Sequence, residues 1–191
     1  VKPEKYQKMS EMLGVSDLAD YLCSINEQCG FVEQIEAVAS QVERASQRAY
    51  EVFLRKQVLG SSQAVMLGIQ ETFGPRDPLL LKAVGILAGG SRAGSLCGAL
   101  QGGLLALGMY FGPPEDKMGD LEALAQSFIP AKRLYAEFTG RFGSRLCRDI
   151  TRADLDVPHQ RQAWLDRGGW EECARLVRET TGIVASLIVE K

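Results

Sequence analysis

A chain of 191 residues with 46% hydrophobic and 24% charged side chains is long enough to bury one sizeable core, which excludes disordered, collagen-like and low-complexity classes. Twenty-two Lys and Arg against 24 Asp and Glu leave a net charge of -2, with no overall basic field to gather nucleic acid. The single His159 excludes mechanisms that need two histidines, such as the HExxH zinc proteases.

Residues 31 to 53 place Phe31, Ile35, Val38, Val42, Ala45, Ala49 and Val52 at alternating steps of four and three, with charges elsewhere. This predicts an amphipathic helix whose apolar stripe packs on its own domain or forms a seam for a second copy, making a homodimer. Gly60-Ser61-Ser62 interrupts the pattern and supplies a cap for a helix over Gln63 to Phe73, stopped by Gly74-Pro75. Asp77 followed by Pro78 opens a further helix over Leu79 to Ala88. Gly89 to Gly94 then reads as a flexible loop carrying one cation, Arg92, and Ser95 as the cap of a helix that starts at Leu96.

The helix after Leu96 has a large face and a small one, the latter built from Gly94, Gly98 and Gly102 with Ala99, Gly103 and Ala106. Small residues four apart let another backbone approach, either another helix or the edge of a cofactor. The stretch from Leu96 to Phe111 is broken by Gln101 and falls short of the ~20 residues that span a bilayer, so no membrane association is expected. Leu121 to Thr139 is helical with a kink at Pro130 and a stop at Gly140. Ser144 caps a short helix that holds Cys147, Thr151 to Pro158 is a loop, and His159 lies in a charged loop, HQRQAWLDR. Trp170 to Val189 forms the last helix, with Ile183 to Val189 as the one stretch whose β-branching also suits a strand. The sum is one all-α domain, residues 1–191, of about seven helices: an amphipathic N-terminal segment over 1–59 and a cysteine-bearing region over 60–191.

Five cysteines, Cys23, Cys29, Cys97, Cys147 and Cys173, are odd in number and widely spaced, which suits reduced thiols or metal ligands better than a secreted disulfide framework. No apolar signal segment follows Val1, so a cytoplasmic protein is expected, with a leader removed ahead of Val1 left open. Cys97, Cys147 and Cys173 each fall in the first turn of a predicted helix. Free N–H groups and the positive end of the macrodipole there favour thiolate, and Arg145 and Arg148 act in the same direction on Cys147. The alternative for all three is the small buried hydrophobe that cysteine commonly is.

GGSRAGSLCGALQGGLLALGMYFG, then FGSRLCRDI and EECARLV, resembles the C_GCAxxG_C_C family of redox-active proteins, named after its cysteine pattern, over Ser61 to Val177. The resemblance places Cys97, Cys147 and Cys173 on the family's cysteine positions in order, and Ser61 where the family has its first cysteine. It implies a thiolate centre with those three cysteines as metal ligands, Ser61 as an additional ligand, and the loop residues Gly94 and Arg92 near it. Cys23 or Cys29 could complete the set from outside the resemblance. The cofactor implied is an iron–sulfur cluster or another thiolate-bound metal, used for electron transfer with a redox protein partner. Related sequence occurs in split-Soret cytochromes, but this chain has no CxxCH, so no covalent c-type haem is expected. The competing readings are a cofactor-free helical scaffold that has lost the site at Ser61, and a thiol–disulfide enzyme. His159 is read as a solvated loop residue, and the glycine-rich loop lacks the lysine and strand of a nucleotide site.

Overall fold

The computed structural model describes residues 18–191, with side chains from Glu36 onward. Eight α-helices follow in the described residues: α1 (Leu18–Leu54), α2 (Ser61–Phe73), α3 (Pro78–Ala83), α4 (Gly98–Phe111), α5 (Leu121–Phe142), α6 (Cys147–Thr151), α7 (Pro158–Asp166) and α8 (Gly169–Val189). No strand is present among them, which makes the fold all-α; Ile183 to Val189 is helical. None of these helices is long and apolar enough to cross a membrane. By its internal contacts the chain divides into two compact units, residues 1–40 and 41–191. In the first, the described residues are the N-terminal part of α1.

The second unit is built round α2, α4 and α8, which pack on one another. Met66, Ile69, Leu100, Leu107, Val177 and Val184 are fully sealed there, and α5 adds Leu134 and Phe138. The sequence stripe of α1 enters this core through Ala45, Ala49 and Val52, so that half of the seam is spent within the chain rather than offered to a second copy. Gly68 of α2 fits against it: a Cβ there would lie 2.5 Å from the Ala45 carbonyl oxygen and 2.9 Å from Ala49 Cβ. Val38 is exposed, and the side chains of Phe31 and Ile35 lie outside the described residues, as do those of Cys23 and Cys29.

The small face of the helix after Leu96 is a packing seam. A Cβ on Gly98 would meet the Leu87 carbonyl at 2.8 Å, and one on Gly102 would meet the Ser62 carbonyl at 2.5 Å, so α4 and α2 approach at backbone distance. Gly103 faces the other way, towards Val184 and Leu134. Buried Ser62 donates to the Val84 carbonyl at 2.7 Å and ties the start of α2 to the turn after α3. Asp77 caps α3 as expected, its Oδ1 accepting from the N–H groups of Leu79 at 2.8 Å and Leu80 at 3.1 Å, with Pro78 at the first helical position. Asp77→Ala should cost about 1 kcal/mol, roughly 3 °C in thermal unfolding.

Several boundaries differ from expectation. α2 starts at Ser61, two residues ahead of the expected Gln63, with Gly60 in the cap position. α3 ends at Ala83 and tightens into a 3-10 turn over Val84–Leu87. α5 runs through Gly140, since one helical glycine costs only about 1 kcal/mol, and stops at Gly143, whose φ of 74° is the left-handed cap that favours glycine. The HQRQAWLDR segment is not a loop: Pro158 starts α7, which buries only Trp164 and leaves His159 exposed.

Candidate functional site

Four helix starts meet at one cavity. Ser61 opens α2, Cys97 caps α4, Cys147 opens α6, and Cys173 lies in the second turn of α8; all four line a cavity of about 850 Å³. Cys97 and Cys147 are buried, Cys173 is half-buried, and all three are free thiols. Ser61 is buried beside Gly98, where its hydroxyl stands 2.6 Å from the point a Cβ would take. The absence of a side chain at Gly98 therefore keeps the Ser61 hydroxyl next to the Cys97 turn.

The helix holding Cys97 does not begin at Leu96 under a Ser95 cap. Ser95 to Cys97 is extended and pairs with Arg145 to Cys147: Leu96 bridges Leu146 antiparallel, the Cys97 N–H donates to the Arg145 carbonyl at 2.8 Å, and the Cys147 N–H donates to the Ser95 carbonyl at 2.7 Å. Side chains alternate faces along extended backbone, so Leu96 and Leu146 turn to one side and Cys97 and Cys147 to the other, as a diagonal pair. Leu146 is 44% exposed while Cys147 is 7% exposed, in line with that alternation. Ser144 likewise does not cap α6 from its expected place; its hydroxyl accepts from Leu146 N–H and donates to Asp149.

The approach to the bridge is a left-handed turn. Gly89, Gly90, Ser91 and Arg92 have φ of 65°, 63°, 55° and 58°, where non-glycine residues cost on the order of 1–3 kcal/mol each. Gly90 has no alternative, because a Cβ would fall 2.6 Å from the Ser95 nitrogen and oxygen. Gly94 closes the turn against Arg148, whose Nε would meet its Cβ at 2.8 Å. Arg148 itself is engaged by Asp154 at 2.7 Å, and Arg145 lies over the Tyr135 ring, so neither plays the part expected of it beside Cys147. The cation that acts on Cys147 is Arg92.

Burial overrides the helix ends. The N–H groups of Leu100 and Ala99 pull the Cys97 thiol down, but desolvation is larger and raises it. Cys147 is pushed up to about 11 by burial first and by the neighbouring Cys97 second, against the Thr151 hydroxyl and Arg92. Cys173 is raised well above the usual thiol range by burial, then by Cys97 and Cys147. The low-pKa thiolates expected from first-turn placement are thus replaced by three thiols that burial holds in the protonated form.

The remaining wall is aromatic. Trp170 stacks on Phe53 with centroids 4.2 Å apart and planes 5° from parallel, donates from Nε1 to the Phe53 carbonyl at 3.1 Å, and meets Trp164 edge-on at 6.5 Å. Sequence reasoning misses this shelf, because Phe53 and Trp170 are far apart in the chain; the placing of Gly168-Gly169 between Trp164 and Trp170 is its only local signal, Gly169 lying under the Trp164 ring.

No group of three or more His, Cys, Asp or Glu side chains among the described residues closes round a single metal ion. A lone ion held by all three cysteines therefore does not fit. A polynuclear cluster asks for something else, separate thiolates at the edges of one shared space, and the cavity with its three thiols and one hydroxyl has that donor set.

The chain is thus an all-α protein in which three free thiols from separate helices line one cavity. The model of the family described as "Putative redox-active protein (C_GCAxxG_C_C)" matches residues 60–187, and the chain belongs to that family. No curated protein and no solved structure matches it.

Proposed function

We propose that the protein transfers electrons through an iron–sulfur cluster held in the cavity by Cys97, Cys147 and Cys173, with the Ser61 hydroxyl at the fourth corner. The observation that carries this reading is the shared cavity: three thiols and one hydroxyl, delivered by the starts of α2, α4, α6 and the second turn of α8. Bound there, the cluster would supply a one-electron couple. The chain's own part is to exclude water with Trp164, Phe53 and Ile150, to present N–H groups from the α4 first turn to the Cys97 sulfur, and to place Arg92 against the negative charge that cluster thiolates bring.

Anaerobic purification with iron and acid-labile sulfide analysis, and a visible spectrum before and after dithionite, tests this. Stoichiometric iron and sulfide are expected in the wild type, with at least a tenfold loss in Cys97→Ser. Ser61→Cys should hold the cluster longer in air, because thiolate is the softer ligand. Wild type that stays iron-free after reconstitution overturns the reading. In that event the diagonal pairing of Cys97 and Cys147 favours a second one, a dithiol couple, seen as the loss of two titratable thiols on mild oxidation that Cys147→Ser abolishes.

A further inference from the structure

The cavity is larger and less polar than a thiol centre alone accounts for. At about 850 Å³ it lies within the roughly 300–1,000 Å³ range of sites for small organic molecules, which are mostly apolar with a few placed polar groups. Trp164, Trp170, Phe53 and Ile150 form the apolar part of a lining that also holds the three thiols.

Its charges are unequal. Arg175 makes no ion pair within 4 Å either, but it stands on α8 between Glu172 and Glu179, at spacings of three and four residues, so two carboxylates on the same helix offset its charge; Glu179 is also held by Arg141 at 3.7 Å. Arg161 donates to the Leu155 carbonyl at 2.7 Å. Arg92 has no acidic residue on its own turn, Gly89 to Ser95: among the described residues its side chain makes no ion pair and no hydrogen bond, it is exposed at the cavity, and its field reaches Cys147. Its backbone is left-handed, following three residues in the same region, so the turn sets where its side chain leaves the chain.

We propose that this cavity takes a small organic anion, with its flat apolar body against Trp164 and Trp170 and its carboxylate, sulfonate or phosphate group on Arg92, beside Cys147. An oxyanion is the group a guanidinium fork recognises, and an aromatic shelf recognises a flat body. The proposal shares the cavity and Arg92 with the cluster reading, and the observations that carry it are the aromatic lining and Arg92 rather than the cysteines.

The chain has two tryptophans and both line the cavity, so tryptophan emission reports its occupancy. The protein as purified is titrated with 8-anilinonaphthalene-1-sulfonate and, separately, with its neutral counterpart N-phenyl-1-naphthylamine. One sulfonate per chain is expected, with quenching of the tryptophans. Arg92→Gly should weaken the sulfonate by about tenfold or more, the worth of one charge-assisted pair, and leave the neutral dye within about twofold. That substitution also relieves the φ of 58°, so its melting temperature should not fall, and Arg92→Lys should recover part of the affinity. Three results overturn the proposal: no tryptophan-coupled binding in the wild type, equal weakening of both dyes, or no weakening of either. Iron and sulfide are measured on the same wild-type samples: iron-free protein that still binds the sulfonate overturns the cluster reading alone, and iron-loaded protein that binds neither dye overturns this proposal alone.

Discussion

Gly102→Val is expected to lower the melting temperature by roughly 10 °C, and Gly108→Ala to raise it by a few degrees. Both glycines lie in α4, and helix propensity alone would have alanine improve each by somewhat under 1 kcal/mol. Packing separates them. At Gly102 the first side-chain carbon meets Ser62 backbone at 2.5, 2.8 and 3.0 Å, atoms that cannot rotate away, so α4 must lift off α2 as a body. Overpacking of that kind costs about 3 kcal/mol, and at 2–4 °C per kcal/mol for a chain of this size the shift follows. At Gly108 nothing lies within 4 Å, and only the propensity gain remains. The consequence reaches the site, since Ser61 and Cys97 sit at one end of the same seam. Thermal unfolding of the two variants decides the matter. Equal shifts in one direction would mean that the small face is not a packing seam, and the close approach of α2 and α4 would have to be rebuilt.

That seam is legible in the sequence, because glycines four apart announce close approach by themselves. So are the long helices and the placing of Cys97, Cys147 and Cys173 near helix starts, where local periodicity and the glycine breaks between helices carry the signal. What stays hidden depends on pairings across the chain. The Leu96–Leu146 bridge is one residue pair with no periodicity, yet it delays the start of α4 to Gly98 and turns Cys97 and Cys147 to the same side. The left-handed turn at Ser91 and Arg92 reads as loose glycine-rich loop, since two of its four residues are types that rarely adopt that backbone. α7 reads as loop because it buries a single side chain, Trp164, and so shows no apolar stripe. Burial is the costliest omission. Helix ends and arginines are visible in a sequence, but the depth at which a thiol lies is not, and here depth sets the sign.

Alkylation of Cys147 in the metal-free protein should therefore be slow at neutral pH and rise about tenfold per pH unit until about pH 11. Only thiolate reacts with iodoacetamide, and a thiol pushed up to about 11 is ionised to about one part in a thousand at pH 8, against roughly a tenth for a thiol that ionises near 9. Peptide mapping reads each cysteine separately, and Cys97 and Cys173, raised by the same burial, should lag as well. Stability has a matching sign. The unfolded thiol ionises near 9 and the folded one near 11, so over that interval the unfolded chain binds fewer protons and stability falls as pH rises; below pH 9 the contribution is intact. The fall should be smaller in Cys147→Ala. A rate that levels off below pH 8 would show the opposite balance, with the α4 and α6 first turns and Arg92 outweighing desolvation. On the proposed cluster reading each cysteine would have to give up a proton to become a ligand, so binding would release protons and be favoured by alkali, with Arg92 facing the charge that those protons leave behind.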